Sequence, residues 1–271
     1  MKNIIRTEWL KIKGYKAFWI VLGMTALSYP GINYMFWKIY KDMAAQQKTA
    51  AQMLKMILGN PFAFPEVFHT TAYLSSLFVF IPAIVVIMLI TNEFTYKTNR
   101  QNIIDGWSRH EFMIGKLIDV FIVTLMVSIL YTIVACIVGS IATEKEVTNP
   151  FIEWWYIPAF ALQTFTQLSL AFFIGFIVKR AFIALSIFVF YFIIFENAAV
   201  GILKVKMNDI GRFLPFELSD RMIPMPAFMG RLNPEAYQKS LTEIQPHTTY
   251  TLILLGIVWA FCFWINKKRD L

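Results

Sequence analysis

The chain has 271 residues, 58% of them hydrophobic, 17% aromatic and only 15% charged. Soluble domains carry about 25% charged residues, so this composition, with a mean hydropathy of +0.57, excludes an ordinary soluble domain. The formal net charge of +8 does not point to nucleic acid, because the basic residues sit at the ends of apolar runs, where anionic lipid headgroups attract them.

Residues 1–16 predict an interfacial helix. Ile4, Ile5, Trp9 and Ile12 recur at helical spacing, flanked by Lys2, Arg6, Lys13 and Lys16. A basic amphipathic helix of this kind lies along a membrane with its apolar side in the headgroup boundary. The following apolar run lacks a small-x-small cleavage site, so the segment reads as retained. Six runs approach the roughly 20 apolar residues that a spanning helix needs, at about 17–37, 72–91, 117–142, 156–178, 181–203 and 249–266. The whole chain, 1–271, therefore reads as one all-α transmembrane domain. Lys and Arg crowd four segments: Lys2 to Lys16, Lys97 to Lys116, Lys179-Arg180, and Lys267-Lys268-Arg269. Such an excess marks the cytoplasmic side, so both termini are expected inside.

Between the first two spans, 38–58 has helix formers and no breaker, and Gly59-Asn60-Pro61 stops it. Pro82 falls within the second span, where it reads as a tolerated kink or as a hinge. A polar island then occupies 92–116, carrying Glu93, Lys97, Arg100, Asp105, Arg109, His110, Glu111 and Lys116 among Phe94, Ile103, Ile104, Trp107 and Phe112. Asn92 or Thr95 is placed to cap a short helix reaching Asp105, and Gly106 suits a left-handed exit. Ser108 and Glu111 have capping-box spacing, which starts a new helix. The two helices form an elbow with Trp107 at its corner. Lys97, Arg100 and Arg109 are suited to pairing with acidic groups of a partner, and Glu93 with a basic residue of the N-terminal helix.

Gln163 and Gln167, four apart, share one face of the fourth span. They read either as interhelical hydrogen-bonding groups or as a stripe facing a substrate path. Lys179-Arg180 is a tight turn, so the fourth and fifth spans are antiparallel neighbours. Glu196 and Asn197 fall in the outer part of the fifth span, where an ionisable residue is a functional candidate. The stretch 204–247 contains two apolar runs, 210–216 and 222–229, too short to span and suited to a re-entrant or interfacial hairpin. Cys136 and Cys262 lie within apolar runs and read as small buried hydrophobes. No glycine-rich P-loop, His-Glu-x-x-His or Gly-x-Ser-x-Gly occurs, so the chain is expected neither to hydrolyse ATP nor to act as an enzyme.

The pattern Glu93-x4-Thr98-x-Arg100, then Gly106-x-Ser108-Arg109-x2-Phe112-x3-Lys116, resembles the loop between the second and third spans of ABC-2 type transporter permeases, and the order of elements is similar over the whole chain. The resemblance implies a coupling helix over 94–105 seated on a separate ABC ATPase subunit. It assigns Glu93, Phe94, Lys97, Thr98, Arg100, Ile103, Asp105, Gly106, Ser108 and Arg109 to that contact. It implies a pair of six-span subunits in a bacterial inner membrane, ATP and Mg in the partner subunit only, and no cofactor, metal or nucleic acid on this chain. It further implies export of a drug, peptide antibiotic, lipid, glycan or ion along a path between the two copies, lined mainly by the second and fifth spans; the abundance of Phe, Met and Ile favours an amphipathic or lipid-like cargo. Pro82, Gln163, Gln167, Glu196 and Asn197 are the path candidates. A non-transporting membrane sensor or immunity protein, and an accessory subunit of an intramembrane enzyme, are the alternatives.

Overall fold

The computed structural model describes residues 2–44, 59–144, 147–230 and 233–268. Among these residues the fold is all-helical, with no strand. Helix α1 (Lys2–Gly14) packs across the start of α2 (Lys16–Ala44) and of the long helix Arg109–Ala142. Its stripe Ile4, Glu8 and Ile12 is buried while Ile5, Trp9 and Leu10 are exposed. The four apolar residues expected to share one membrane face are therefore split between the protein and the surroundings. Helix α2 continues past the first apolar run to Ala44 and runs through Pro30. The remainder of the expected outward helix, 45–58, lies outside the described residues.

The second apolar run is a bent pair, not one kinked helix. Helices α3 (Val67–Ser76) and α4 (Phe80–Thr95) meet at 50°. The break precedes Pro82, which sits at the third position of α4. A proline ring clashes with the carbonyl four residues earlier, here that of Phe78, so the helix yields one turn upstream. Helix α5 (Thr98–Ile104) is followed by the long α6 (Arg109–Ala142), then α7 (Tyr156–Val178). Helix α8 (Ala181–Lys206) contains a π-helical turn at Phe190–Phe195. After a 3-10 turn at Ile210–Phe213 come two short helices, α9 (Pro215–Asp220) and α10 (Ala227–Gly230). The last helix, α11 (Pro234–Lys268), starts 15 residues before the expected span.

Four of these helices (α6, α7, α8 and α11) are long and apolar enough to cross a membrane, and α3 with α4 adds a fifth if the bent pair is one span. Helix α2 has the length, but Tyr29, Pro30, Gly31 and Asn33 dilute its hydropathy. The core lies between α4, α6 and α7. Gly175 lets α7 approach α4 so closely that a methyl there would stand 2.7 Å from Ile90 Cγ2, the role small residues play where spanning helices meet. No position from Phe78 to Phe94 is exposed. Helix α8 is peripheral, with 17% of its apolar window buried. Cys136 and Cys262 form no disulfide.

Candidate functional site

The polar island folds as an elbow, but it begins later than its cap signals imply. Asn92 and Thr95 stay within α4, and the Thr95 hydroxyl donates back to the Thr91 carbonyl at 3.0 Å. The chain turns at Lys97, which adopts the left-handed region with φ 57°. Only Thr98–Ile104 is then helical, so Phe94 belongs to α4 and Asp105 to the exit. That exit is a Schellman motif: Gly106 has φ 97°, its N–H donates to the Ile103 carbonyl, and the Trp107 N–H donates to that of Asn102. Two residues later Ser108 accepts from the Glu111 amide at 3.1 Å, and Glu111 accepts from the Ser108 amide at 2.8 Å. This complete capping box contributes about 1 kcal/mol to starting α6.

What anchors the elbow is a buried ion cluster drawn from α1, α4 and α6. Lys116 Nζ lies 2.6 Å from Glu8 Oε2, 2.8 Å from Glu93 Oε1 and 3.0 Å from Asp119 Oδ2. Its side chain is 3% exposed. Lys11 adds a second ammonium, 3.0 Å from both Glu8 and Glu93, and stands 5.7 Å from the centre of the Trp107 ring at the corner. The other Glu93 oxygen accepts from the Thr98 hydroxyl at 2.7 Å, the first residue of α5. Glu93 thus pairs with the N-terminal helix, as its position implies, and also holds the start of α5. Burial pushes the Glu8 carboxyl up, but the Lys116 and Lys11 ammoniums outweigh it and hold this group below the usual carboxylate range. Charges taken out of water are tolerated only when paired and hydrogen-bonded. Removing any partner therefore leaves an uncompensated charge, and the three helices are bound into one unit with the elbow.

A family model for ABC-2 family transporter proteins matches residues 4–195. The chain belongs to the ABC-2 transporter family. Comparison with the curated proteins gave no match. As an ABC-2 protein it is an integral membrane component of an ABC transporter, and the family implies association with an ABC ATPase subunit. The match covers α1 to the π turn of α8, so the elbow and its ion cluster lie within it.

The elbow residues of this ABC-2 protein are not equivalent. Lys97, Thr98, Arg100, Asp105, Gly106 and Ser108 are exposed and Ile103 is half-buried. Gln101 donates to Asp105 at 2.9 Å. Arg109 is committed within the chain, donating to the Lys267 carbonyl at 2.8 Å, while Asn266 donates to the Arg109 carbonyl at 2.7 Å. That contact closes the end of α11 onto the start of α6.

The candidate path residues do not converge. Pro82 is buried inside α4. Gln163 and Gln167 each donate to Asp220 Oδ1 at 2.6 Å, tying α7 to α9. Glu196 is buried rather than reaching water, and its Oε1 accepts from the Phe216 and Glu217 amides at 2.7 Å. Asn197 is exposed and donates to the Phe192 and Ile193 carbonyls within the π turn. His69 adds a further tie, its Nε2 donating to the Pro224 carbonyl at 2.7 Å. Helix α9 and its flanks are thus stitched to α3, α7 and α8. Burial pushes the Asp220 carboxyl up to about 7, and the nearby Glu217 and Glu196 add to this against the two glutamine hydrogen bonds.

Sequence reasoning missed Glu8, Lys11 and Asp119. The signals were present. Glu8 lies four residues from both Ile4 and Ile12, a carboxylate in the middle of an apolar stripe. Lys116 and Asp119 have the i,i+3 spacing of a helical ion pair.

Proposed function

We propose that this chain is the permease subunit of an ATP-driven exporter, with α5 as the element that receives motion from a separate ATPase. The observation that carries this reading is the Lys116 cluster. An external push on α5 acts on Thr98, which is bonded to Glu93, and through Lys116 reaches α1, α4 and α6 together. A rigid exposed element joined to spans through buried charges transmits displacement, where a solvated loop would absorb it.

The same reading takes α2 as a span and α3 with α4 as one broken span, making six, with both termini cytoplasmic. The elbow then faces the cytoplasm and α9 with α10 form a re-entrant outer hairpin. Two copies pair in the bacterial inner membrane. The exposed apolar face of α8 supports a pathway wall at or near that pairing, and its aromatic composition suits an amphipathic peptide, drug or lipid. Enclosed as it is, α4 contributes to such a wall only after the helices separate. ATP and Mg reside in the partner.

Co-purification in mild detergent tests the reading. An ABC ATPase is expected with the wild-type chain, and Arg100→Glu with Asp105→Arg is expected to remove it and abolish transport. Full assembly and transport by that double variant would refute the assignment of α5.

A further inference from the structure

We propose that the cavity at the elbow end of the molecule is a binding site for the phosphate headgroup of an anionic membrane lipid. The cavity measures about 400 Å³ and its lining includes five cationic residues, Lys97, Arg100, Arg109, Lys179 and Arg180, and no acidic one. Its volume falls within the roughly 300–1,000 Å³ of small-ligand pockets. Phe94 forms an apolar wall, with Lys179 Nζ 5.4 Å from its ring centre. Arg109 is oriented by its bond to the Lys267 carbonyl. Among the described residues no ion pair involves Lys97, Arg100 or Arg180. Like charges gathered around a cavity repel one another, and an anion relieves that repulsion.

The position selects the source of the anion. Lys179 and Arg180 are the two residues between α7 and α8, so they stay at the level where two spanning helices end. Asn266, also in the lining, lies at the last turn of α11. The cavity is therefore at headgroup depth. Exposed apolar side chains adjoin the basic ones in the chain: Tyr96 beside Lys97, and Phe182, 82% exposed, near Arg180. These suit acyl chains and the interface, and basic pockets between spanning helices hold phosphate headgroups. An acidic segment of a partner protein would match the charge but not the apolar flanks. The inference needs the membrane placement of the chain but not the coupling role of α5.

Native mass spectrometry of the purified full chain, with phosphatidylglycerol or phosphatidylcholine added, reads the site. One phosphatidylglycerol per chain is expected to be retained, and phosphatidylcholine not. Arg100→Gln with Arg180→Gln is expected to lower retention about 25-fold, from roughly fivefold per basic residue near an anionic lipid. Arg100→Lys with Arg180→Lys keeps the charge and is expected to retain the lipid, which separates lost binding from lost fold. Lys267→Gln with Lys268→Gln, outside the lining, is expected to behave as wild type. Equal retention by the double Gln variant, retention of phosphatidylcholine, or displacement by millimolar inorganic phosphate would overturn the proposal. So would a double Gln variant that keeps the lipid but loses the ATPase, since the cavity would then be a partner's socket. Charge-dependent lipid retention by a chain that binds no ATPase would leave the lipid site standing and defeat the coupling role instead.

Discussion

Lys116→Met removes the ammonium at the centre of the cluster while keeping an unbranched side chain. Glu8, Glu93 and Asp119 then remain buried with Lys11 alone, which reaches only the first two and is itself partly exposed. Removing one partner of a buried ion pair costs about 3–5 kcal/mol. Protonation of a stranded carboxylate relieves part of this, so a loss near 3 kcal/mol is expected, roughly two orders of magnitude in the folded-to-unfolded ratio. Thermal unfolding of the detergent-purified chain measures it, and hydrogen exchange locates it. The amides of α1 should exchange faster, because Glu8 holds that helix to α6. Glu8→Gln combined with Lys116→Met should cost clearly less than the two single changes added, as expected for residues that share one interaction. An unchanged midpoint with unchanged α1 exchange, or strict additivity, would refute the cluster as the anchor of the elbow.

Three further outcomes follow from the geometry. Gly175→Ala places a methyl 2.7 Å from Ile90 Cγ2 and 3.4 Å from the Ile87 backbone, so a loss of about 1–3 kcal/mol is expected; Gly23→Ala, where nothing lies within 4 Å, is the control that should not lower the unfolding midpoint. Ser108→Ala removes the cap of α6 at a cost of about 1 kcal/mol, and limited proteolysis should show faster cleavage around Gly106. The Asp220 carboxyl, raised from 3.8 to about 7 by burial, keeps its proton in the folded chain over a range where the unfolded chain has lost it. Its contribution is therefore fully present below about pH 4, declines as pH rises toward 7, and stays reduced above that. After correction for intrinsic rates, exchange in residues 215–223 should be faster at pH 8 than at pH 5.5. Asp220→Asn should abolish the difference, and a wild-type segment insensitive to pH would contradict the assignment.

The legible parts of this fold were those written in local spacing. The Ser108 and Glu111 box, the Gly106 exit, the Lys179-Arg180 turn and the apolar runs of α6, α7 and α8 all depend on residues within one helix or turn. The start of α5 was misplaced because Asn92 and Thr95 carry cap chemistry but lie within α4, where the Thr95 hydroxyl bonds the Thr91 carbonyl instead, while Lys97 turns the chain without any side-chain cap. The bend before Pro82 was shifted by one turn because the ring acts on the carbonyl upstream. The ion cluster joins residues 23, 82 and 108 positions apart, which no periodicity encodes. The glutamine face of α7 was visible, but its partner Asp220 lies 57 and 53 residues on. That partner ties the glutamine face to α9.

The central claim is that α5 sits against an ATPase. A photo-crosslinking residue in place of Ile104, which is 77% exposed at the last position of α5, tests it most directly in membranes containing the whole transporter. The expected product is a crosslink from this position to the ATPase subunit, with none from a matched probe at Phe213 on the far end. Crosslinks from Ile104 to lipid alone, while the ATPase is present and active, would contradict it.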